Sequence, residues 1–392
     1  MTGQSVPTAV VVGAGPAGLM AADVLSAAGV AVTVADRMPS VGRKFLMAGK
    51  SGLNLTKMED PATFAAAFGD MPPALAQAIA DFGPAEVVAW AEGLGQPVFT
   101  GSTGRVFPVA MKASPLLRAW LNRLADRGVA LRTRWTWEGW AGDALRFATP
   151  QGLQDLSPDA TILACGGASW ARLGSDGAWT RHIPGTAPFK PANCGFRVDW
   201  SAHMAHFHGT PVKATRLDAG DATSRGEWVI TRDGIEGGGV YAVSAAVRDG
   251  APLTVDLLPD LDATRVAARV TDAGAKASTS KILKSVLRLP PVKIALFNEL
   301  SRRVAGPNPL AVLLKTLPLP VTGPMPMDAA ISTAGGLRFA ALDGLRLSDR
   351  PRTFAAGEML DWEAPTGGYL ITASLATGRL AAQEALAMLA AR

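Results

Sequence analysis

The sequence predicts an α/β fold in which a dinucleotide-binding domain is split between the two ends of the chain. Three observations predict it. The first forty or so residues run strand, glycine turn, helix, strand, acid. A second apolar strand, Ala160 to Ala164, stops at Cys165-Gly166-Gly167. The last forty or so return to strand, Gly-Glu pair and helix. A β-rich stretch and a basic helical stretch lie between them.

The opening strand is the β-branched run Thr8 to Val12, and it ends in Gly13-Ala14-Gly15-Pro16-Ala17-Gly18. Gly13 permits a tight turn, Gly15 lets backbone approach a pyrophosphate, and Gly18 lets helix and strand pack closely. The helix start, Ala17 included, offers unpaired N–H groups and a partial positive charge to a diphosphate. Gly29 stops the helix. A second strand, Ala31 to Ala35, ends at Asp36, placed to accept hydrogen bonds from a ribose diol, with Arg37 beside it.

A loop rich in Gly, Ser and Lys follows from Arg37 to Thr56, then helical sequence from about Pro61 to Leu94. Gly101 to Pro108 reads as a turn and exposed segment, and Ser114 to Gly128 as a helix. Val129 to Thr149 reads as strand and hairpin. Its Trp135 and Trp137 alternate on one strand face and read as core rather than as a binding platform. The paired glycines Gly166 and Gly167 mark a second close approach of backbone to a ligand.

The character changes near Ala187. Short strands at Gly195–Val198, Trp228–Thr231 and Leu253–Leu257, punctuated by Gly and Asn, suggest a β insertion. Asp260 to Pro320 has helical patterning and ten Lys or Arg against four acids, more than the whole chain's net charge of +5. Such a module suits nucleic acid or an anionic substrate, or is the solvated face of a few helices.

At 392 residues, 48% of them hydrophobic, the chain supports two or three domains and a sizeable core. No apolar run reaches the roughly 20 residues of a membrane span, and no signal peptide is expected. Cys165 and Cys194 are too far apart for a CxxC pair, so a disulfide framework is not expected and the cytoplasm is the default compartment. His203, His206 and His208 form an HxxHxH run without a nearby Cys. It reads as a polar loop, and no metal is expected.

The choice of dinucleotide turns on the C-terminal end. FAD domains of the glutathione-reductase type are discontinuous, and their return brings a strand, a Gly-acid pair and a helix. Thr353 to Ala356 with Gly357-Glu358 fits the strand and pair; Thr366-Gly367-Gly368-Tyr369 fits the helix start. In such sites the acid bonds hydroxyls of the ribityl or diphosphate-linked part. The helix start points at the flavin edge where charge collects on reduction. An NAD-dependent dehydrogenase without flavin is the alternative. No second GxGxxG stands in mid-chain, so NAD(P)H as reductant would have to enter the substrate cleft directly.

Gly42-Arg43-Lys44 through Gly49-Lys50-Ser51-Gly52-Leu53-Asn54-Leu55-Thr56 resembles the GRK…SGGGRCNxTN segment of the BaiN/HI0933-like flavoproteins. Gly357-Glu358-Met359-Leu360-Asp361 and Thr366 to Tyr369 resemble that family's GE-x-x-D…GGYN motif. Leu173 to Gly177 resembles its glycine-rich segment after the ATGG turn. The sequence is similar to a shorter, divergent branch: Gly52-Leu53-Asn54 stands where GRCN is usual, and Leu370 replaces the Asn after Tyr369. Chemistry that used the missing thiol does not operate here.

The resemblance implies a Rossmann-like FAD domain, an inserted β-barrel and a small helical domain. The expected division is 1–188 and 335–392 for FAD, 189–259 and 321–334 for the barrel, and 260–320 for the helical insert. Gly49, Ser51, Gly52 and Asn54 are implied to line the flavin, with Arg43 and Lys44 at its phosphate or at backbone carbonyls. The family implies reduction of a conjugated C=C bond, in a small-molecule enone or in RNA uridine. A binding protein with a mainly structural flavin is the other class. The proton donor is not evident; the candidates are Lys50, Arg105, Lys112 and Tyr369.

Overall fold

The computed structural model describes residues 6–306 and 309–391. The chain forms two compact units, one of Met1–Lys190 with Ser332–Arg392 and one of Pro191–Ile331. The first junction falls at 190/191, where 188/189 was expected, and the return at 331/332 rather than 334/335.

The first unit is built on a seven-stranded sheet. Its parallel core runs Thr353–Ala355, Ala160–Leu163, Thr8–Val12, Ala31–Asp36, Ala130–Thr133. A short antiparallel hairpin, Leu342–Asp343 with Arg346–Leu347, extends one edge. Val11 pairs with Val34 on one side and Ile162 on the other, and Ile162 pairs with Phe354. These residues are all buried. A parallel sheet needs cover on both faces, so its strands read as continuous apolar runs rather than alternating ones. The C-terminal return therefore supplies a strand beside the middle of the sheet, separated from the opening strand only by Ala160–Leu163.

The helices Pro16–Ala27 and Tyr369–Ala390 pack on each other. A Cβ on Gly378 would lie 2.2 Å from the Ala17 carbonyl oxygen, so only glycine allows this approach. Helix Ala113–Asp126 is tied to the first helix through the buried Asp23. Asp23 accepts from Trp120 Nε1 at 2.8 Å and pairs with Arg123 and Arg127. The three ligands offset the desolvation of a carboxylate that would otherwise be costly to bury.

The second unit holds two antiparallel sheets. One has five strands in the order Pro211–Val212, Trp228–Ile230, Gly234–Glu236, Phe196–Arg197, Gly323–Pro324. The other has four, ordered Ala222–Ser224, Arg216–Ala219, Leu253–Asp256, Leu317–Pro318. Helices Ala263–Asp272, Pro291–Ser301 and Leu310–Lys315 share a core with them that includes Phe196, Trp228, Val255, Leu296 and Leu317.

Part of the basic excess in this unit is structural. Lys293 is buried and donates to the carbonyls of Ala214 at 2.6 Å and Leu257 at 2.8 Å. Lys315 pairs with the buried Asp256 at 2.7 Å, and Arg303 with Glu299 at 2.6 Å. Arg265, Arg269, Lys276, Lys281, Lys284, Arg288 and Arg302 remain exposed.

Candidate functional site

A cleft of about 360 Å³ opens at the carboxyl ends of the parallel strands, wholly within the first unit. Where the first strand ends, Gly13 has φ +102°, and a Cβ there would lie 2.2 Å from the Ala164 carbonyl oxygen. Only glycine suits that turn. Gly15 is the N-cap of helix Pro16–Ala27 and supplies no side-chain cap. Nothing lies within 4 Å of where its Cβ would be, so the helix start is open to a ligand. Ala17 lines the same cleft. Gly18 does not: its Cβ would collide with the Gly13 carbonyl oxygen at 1.9 Å, which makes it a packing glycine.

Asp36 ends the second strand on the cleft wall. One carboxylate oxygen accepts from Ala14 N–H and the other from Met38 N–H, both at 2.8 Å. Each oxygen keeps a lone pair for a further donor. Burial raises the Asp36 pKa; the two N–H groups, Arg37 and Arg43 oppose that only in part. Nearby, burial and the Asp36 charge push the Cys165 thiol up to about 12, so it is not a thiolate near neutrality. Arg37 pairs with Asp176.

Trp135, Trp137, Trp179 and His182 also line the cleft. The first two were expected as core. Trp137 is indeed buried, yet both also contribute to the wall. Alternation along a strand identifies a buried face but does not distinguish core from a cleft wall. Trp179 donates to the Gly166 carbonyl at 2.8 Å and so fixes the second glycine turn. Arg43 Nε, Trp137 Nε1 and Ser175 Oγ are buried cleft atoms without a hydrogen-bond partner. Unpaired buried polar atoms converging on one cleft suit a polar ligand such as a nucleotide.

At the C-terminal side of the cleft, Lys44 meets Glu358. Lys44 Nζ lies 2.6 Å from Glu358 Oε2 and donates to Ser169 Oγ at 2.8 Å. The other Glu358 oxygen accepts from Thr333 N–H at 3.2 Å. Gly357 lies on the cleft, and Gly167 packs on Thr333 and Glu358 just behind.

The remaining expected residues gather in a second cluster of the same unit. Strand Thr56–Lys57 pairs with Arg105–Pro108, which pairs with Val98–Thr100. Leu53 N–H donates to Met111 and Leu55 N–H to Val106, so the preceding loop lies along the same segment. There Gly49 packs on Ala113, and Gly52 faces Met111. Ser51 is exposed, while the Asn54 side-chain oxygen is buried and unpaired. Gly367 stands near Arg105 and Tyr369; Gly368 (φ +105°) lies against Thr56, where a Cβ would come within 2.4 Å of backbone. Thr366 leads into this turn. Lys50, Arg105 and Lys112 are exposed, whereas Tyr369 is buried and bonded to Glu59 and Lys57. Burial, with the Glu59 hydrogen bond, raises the Tyr369 pKa; the Glu59 bond raises that of Lys57. Nothing in the sequence singles out Glu59 or pairs it with Lys57. Their pairing depends on a helix some 310 residues away.

His203, His206 and His208 lie in and just after the turn Ala202–Phe207. Among the described residues, no three His, Cys, Asp or Glu side chains are grouped to hold a metal.

The family model described as the HI0933-like protein Rossmann domain matches residues 7–384. The chain belongs to the HI0933-like family. The 3-dehydro-bile acid delta(4,6)-reductase of Clostridium scindens is 28% identical over 407 residues, covering 96% of this chain and 98% of that protein. Among solved structures, the 3-ketosteroid delta1-dehydrogenase of Sterolibacterium denitrificans matches with a TM-score of 0.55 at 13% identity. That alignment covers 98% of this chain and 100% of the other. The 3-ketosteroid-delta4-(5alpha)-dehydrogenase of Rhodococcus jostii RHA1 matches at 0.48 and 16%, covering 98% and 97%. The fold of this HI0933-like chain is a Rossmann-type FAD-binding domain carrying an insertion.

Proposed function

We propose that this HI0933-like chain is an FAD-dependent oxidoreductase that reduces an activated C=C bond of a small-molecule enone. The observation that carries the reading is the cleft itself. It has the Asp36 carboxylate with a lone pair left on each oxygen, an uncapped helix start at Gly15–Ala17, and the Lys44–Glu358 pair brought in by the C-terminal return. The 3-dehydro-bile acid reductase, by its name, acts on such a bond, and it is similar over nearly the whole chain.

FAD, when bound, supplies the two-electron chemistry. The chain's own residues do the rest. Asp36 takes the ribose diol with its free lone pairs. The N–H groups at the start of helix Pro16–Ala27 take the diphosphate, with Arg37 and Arg43 adding positive charge. Glu358 accepts hydroxyls of the ribityl chain while Lys44 holds its carboxylate in place. Gly49, Ser51, Gly52 and Asn54, with Thr366 to Tyr369, are the residues that the family resemblance would set beside the flavin. The reading includes NAD(P)H as the reductant, entering the substrate cleft directly. No helix of the described residues is long and apolar enough to cross a membrane. A cytoplasmic location is part of the proposal.

RNA uridine is a second reading, favoured by the exposed cations of the insert. Turnover of a flavin-reduced sample with enones and with structured RNA tests both. Oxidation by enones supports the main reading. Oxidation by RNA alone, with affinity falling steeply as salt rises, replaces it with the second.

A further inference from the structure

The three-stranded sheet of Thr56–Lys57, Arg105–Pro108 and Val98–Thr100 has one closed face and one open face. On the closed face Thr56 and Val106, paired across two strands, are fully buried. On the open face Lys57 lies opposite Arg105 and Phe99 opposite Phe107, so these four side chains stand together. The Phe99 and Phe107 rings stack at 5.8 Å between centroids, and Phe99 is 44% exposed. Met111 joins them. Its Cε lies over Gly52, 2.8 Å from where a Cβ would be, and Phe107 borders the same glycine. Met111 has φ +57°, in the left-handed region that a side chain disfavours. Its N–H donates to the Pro108 carbonyl and its own carbonyl accepts from Leu53, which fixes it there. Yet Met111 is 37% exposed. Backbone strain that holds an apolar side chain at the surface serves no packing need.

The charge around this face has one sign. No Asp or Glu occurs from Arg37 to Met58 or from Gly93 to Ala125. Lys57 is matched by Glu59 at 2.6 Å. Among the described residues no carboxylate pairs with Lys50, Arg105 or Lys112, which are all exposed. Arg105 is on the face itself. Lys50 and Lys112 flank it, because their neighbours Gly49 and Ala113 are in contact. An occupant must therefore bring apolar surface and negative charge together. A second copy docked about a two-fold axis would set cation against cation. A stable protein interface needs about 800 Å² from each partner, more than three partly exposed side chains offer.

We propose that this open face binds a small amphipathic carboxylate, a rigid apolar ring system ending in an acid group. The ring system lies on Phe99, Phe107 and Met111, and the carboxylate meets the Arg105 guanidinium. The site lines no part of the cleft and is independent of the flavin reading.

The test is calorimetric titration of the full chain with cholate, with the alcohol made by reducing its carboxylate, and with acetate, each with and without saturating FAD. Cholate is expected to bind in both conditions, the alcohol about tenfold more weakly, and acetate not measurably. Phe99→Ser and Arg105→Gln, both at exposed positions, should each weaken cholate by about fivefold, and only Phe99→Ser should also weaken the alcohol. Met111→Gly relieves the backbone while removing the side chain. It should melt no lower than wild type and yet bind cholate several-fold more weakly, which a merely structural role does not produce. The absence of cholate binding overturns the inference, as does binding that all three variants leave unchanged. Loss of cholate binding when FAD is added would make the face part of the flavin site and also overturn it. Binding to phosphatidylglycerol vesicles but not to cholate would assign the face to a membrane surface, and a Phe99-dependent dimer in sedimentation would assign it to a second copy. Either result overturns the inference. The FAD titration reports separately on the flavin reading, which stands or falls on its own.

Discussion

Lys44 and Glu358 are 314 residues apart in sequence and 2.6 Å apart in space. The pair joins the short helix Arg43–Ala48 to the C-terminal return, so the cleft is complete only when both ends of the chain have folded together. Its side chains are 28% and 16% exposed, which lets it orient a ligand group while contributing little stability of its own. Glu358→Ala is predicted to weaken FAD binding by roughly tenfold to a hundredfold, the range expected when a charged hydrogen-bond partner is lost. The melting temperature of the apoprotein should hardly move. Equilibrium dialysis against FAD and a thermal scan check both. Unchanged affinity would remove Glu358 from the cofactor site.

Gly13→Ala is predicted to fail in two ways at once. The left-handed backbone at φ +102° and the carbonyl 2.2 Å from the new Cβ both resist it. Together they should destabilise the first unit by about 3 kcal/mol and abolish FAD retention. Urea unfolding and the flavin-to-protein absorbance ratio measure the two effects. A variant that stays yellow and equally stable would contradict the turn geometry.

The Cys165 thiol, pushed up to about 12, lies above the ordinary thiol range near roughly 8.5. The folded state thus keeps a proton that the unfolded state releases. Its contribution to stability is complete below the unfolded value and is lost as pH rises from there towards 12. Wild-type protein should therefore lose more stability than Cys165→Ser between pH 8 and pH 10, in paired urea titrations. At pH 8 a thiol reagent should label Cys165 far more slowly in folded than in unfolded protein. Equal labelling rates would refute the shielding.

Lys293→Met should cost the inserted unit about 2 kcal/mol, because it leaves the carbonyls of Ala214 and Leu257 buried without a donor. The exposed Lys281→Met or Lys284→Met should change stability by no more than about 0.5 kcal/mol. Denaturant titrations separate the two classes. Equal effects would mean that the insert's basic residues are not divided between core and surface.

The parts of the fold that were legible in the sequence are those with local causes. The opening strand, Gly13 turn, helix and Asp36 need only neighbours in sequence, and a parallel sheet buried on both faces leaves apolar runs anyone can read. Lys44 and Glu358 each stand out in the sequence as candidates, but no local pattern says that they touch. Lys57, Glu59 and Tyr369 meet for the same long-range reason. Trp135 and Trp137 show that a buried strand face can also form a cleft wall. Lys293 and Lys315 show that a charge count does not reveal which ammonium groups serve the interior.

The central claim is that the Asp36-to-Glu358 cleft holds a redox-active FAD. The most direct measurement is the absorbance spectrum of purified, FAD-reconstituted protein, followed by anaerobic titration with NADH and NADPH. The account predicts oxidised-flavin bands that bleach on titration and return when an enone is added. A colourless protein that takes up no FAD would contradict it.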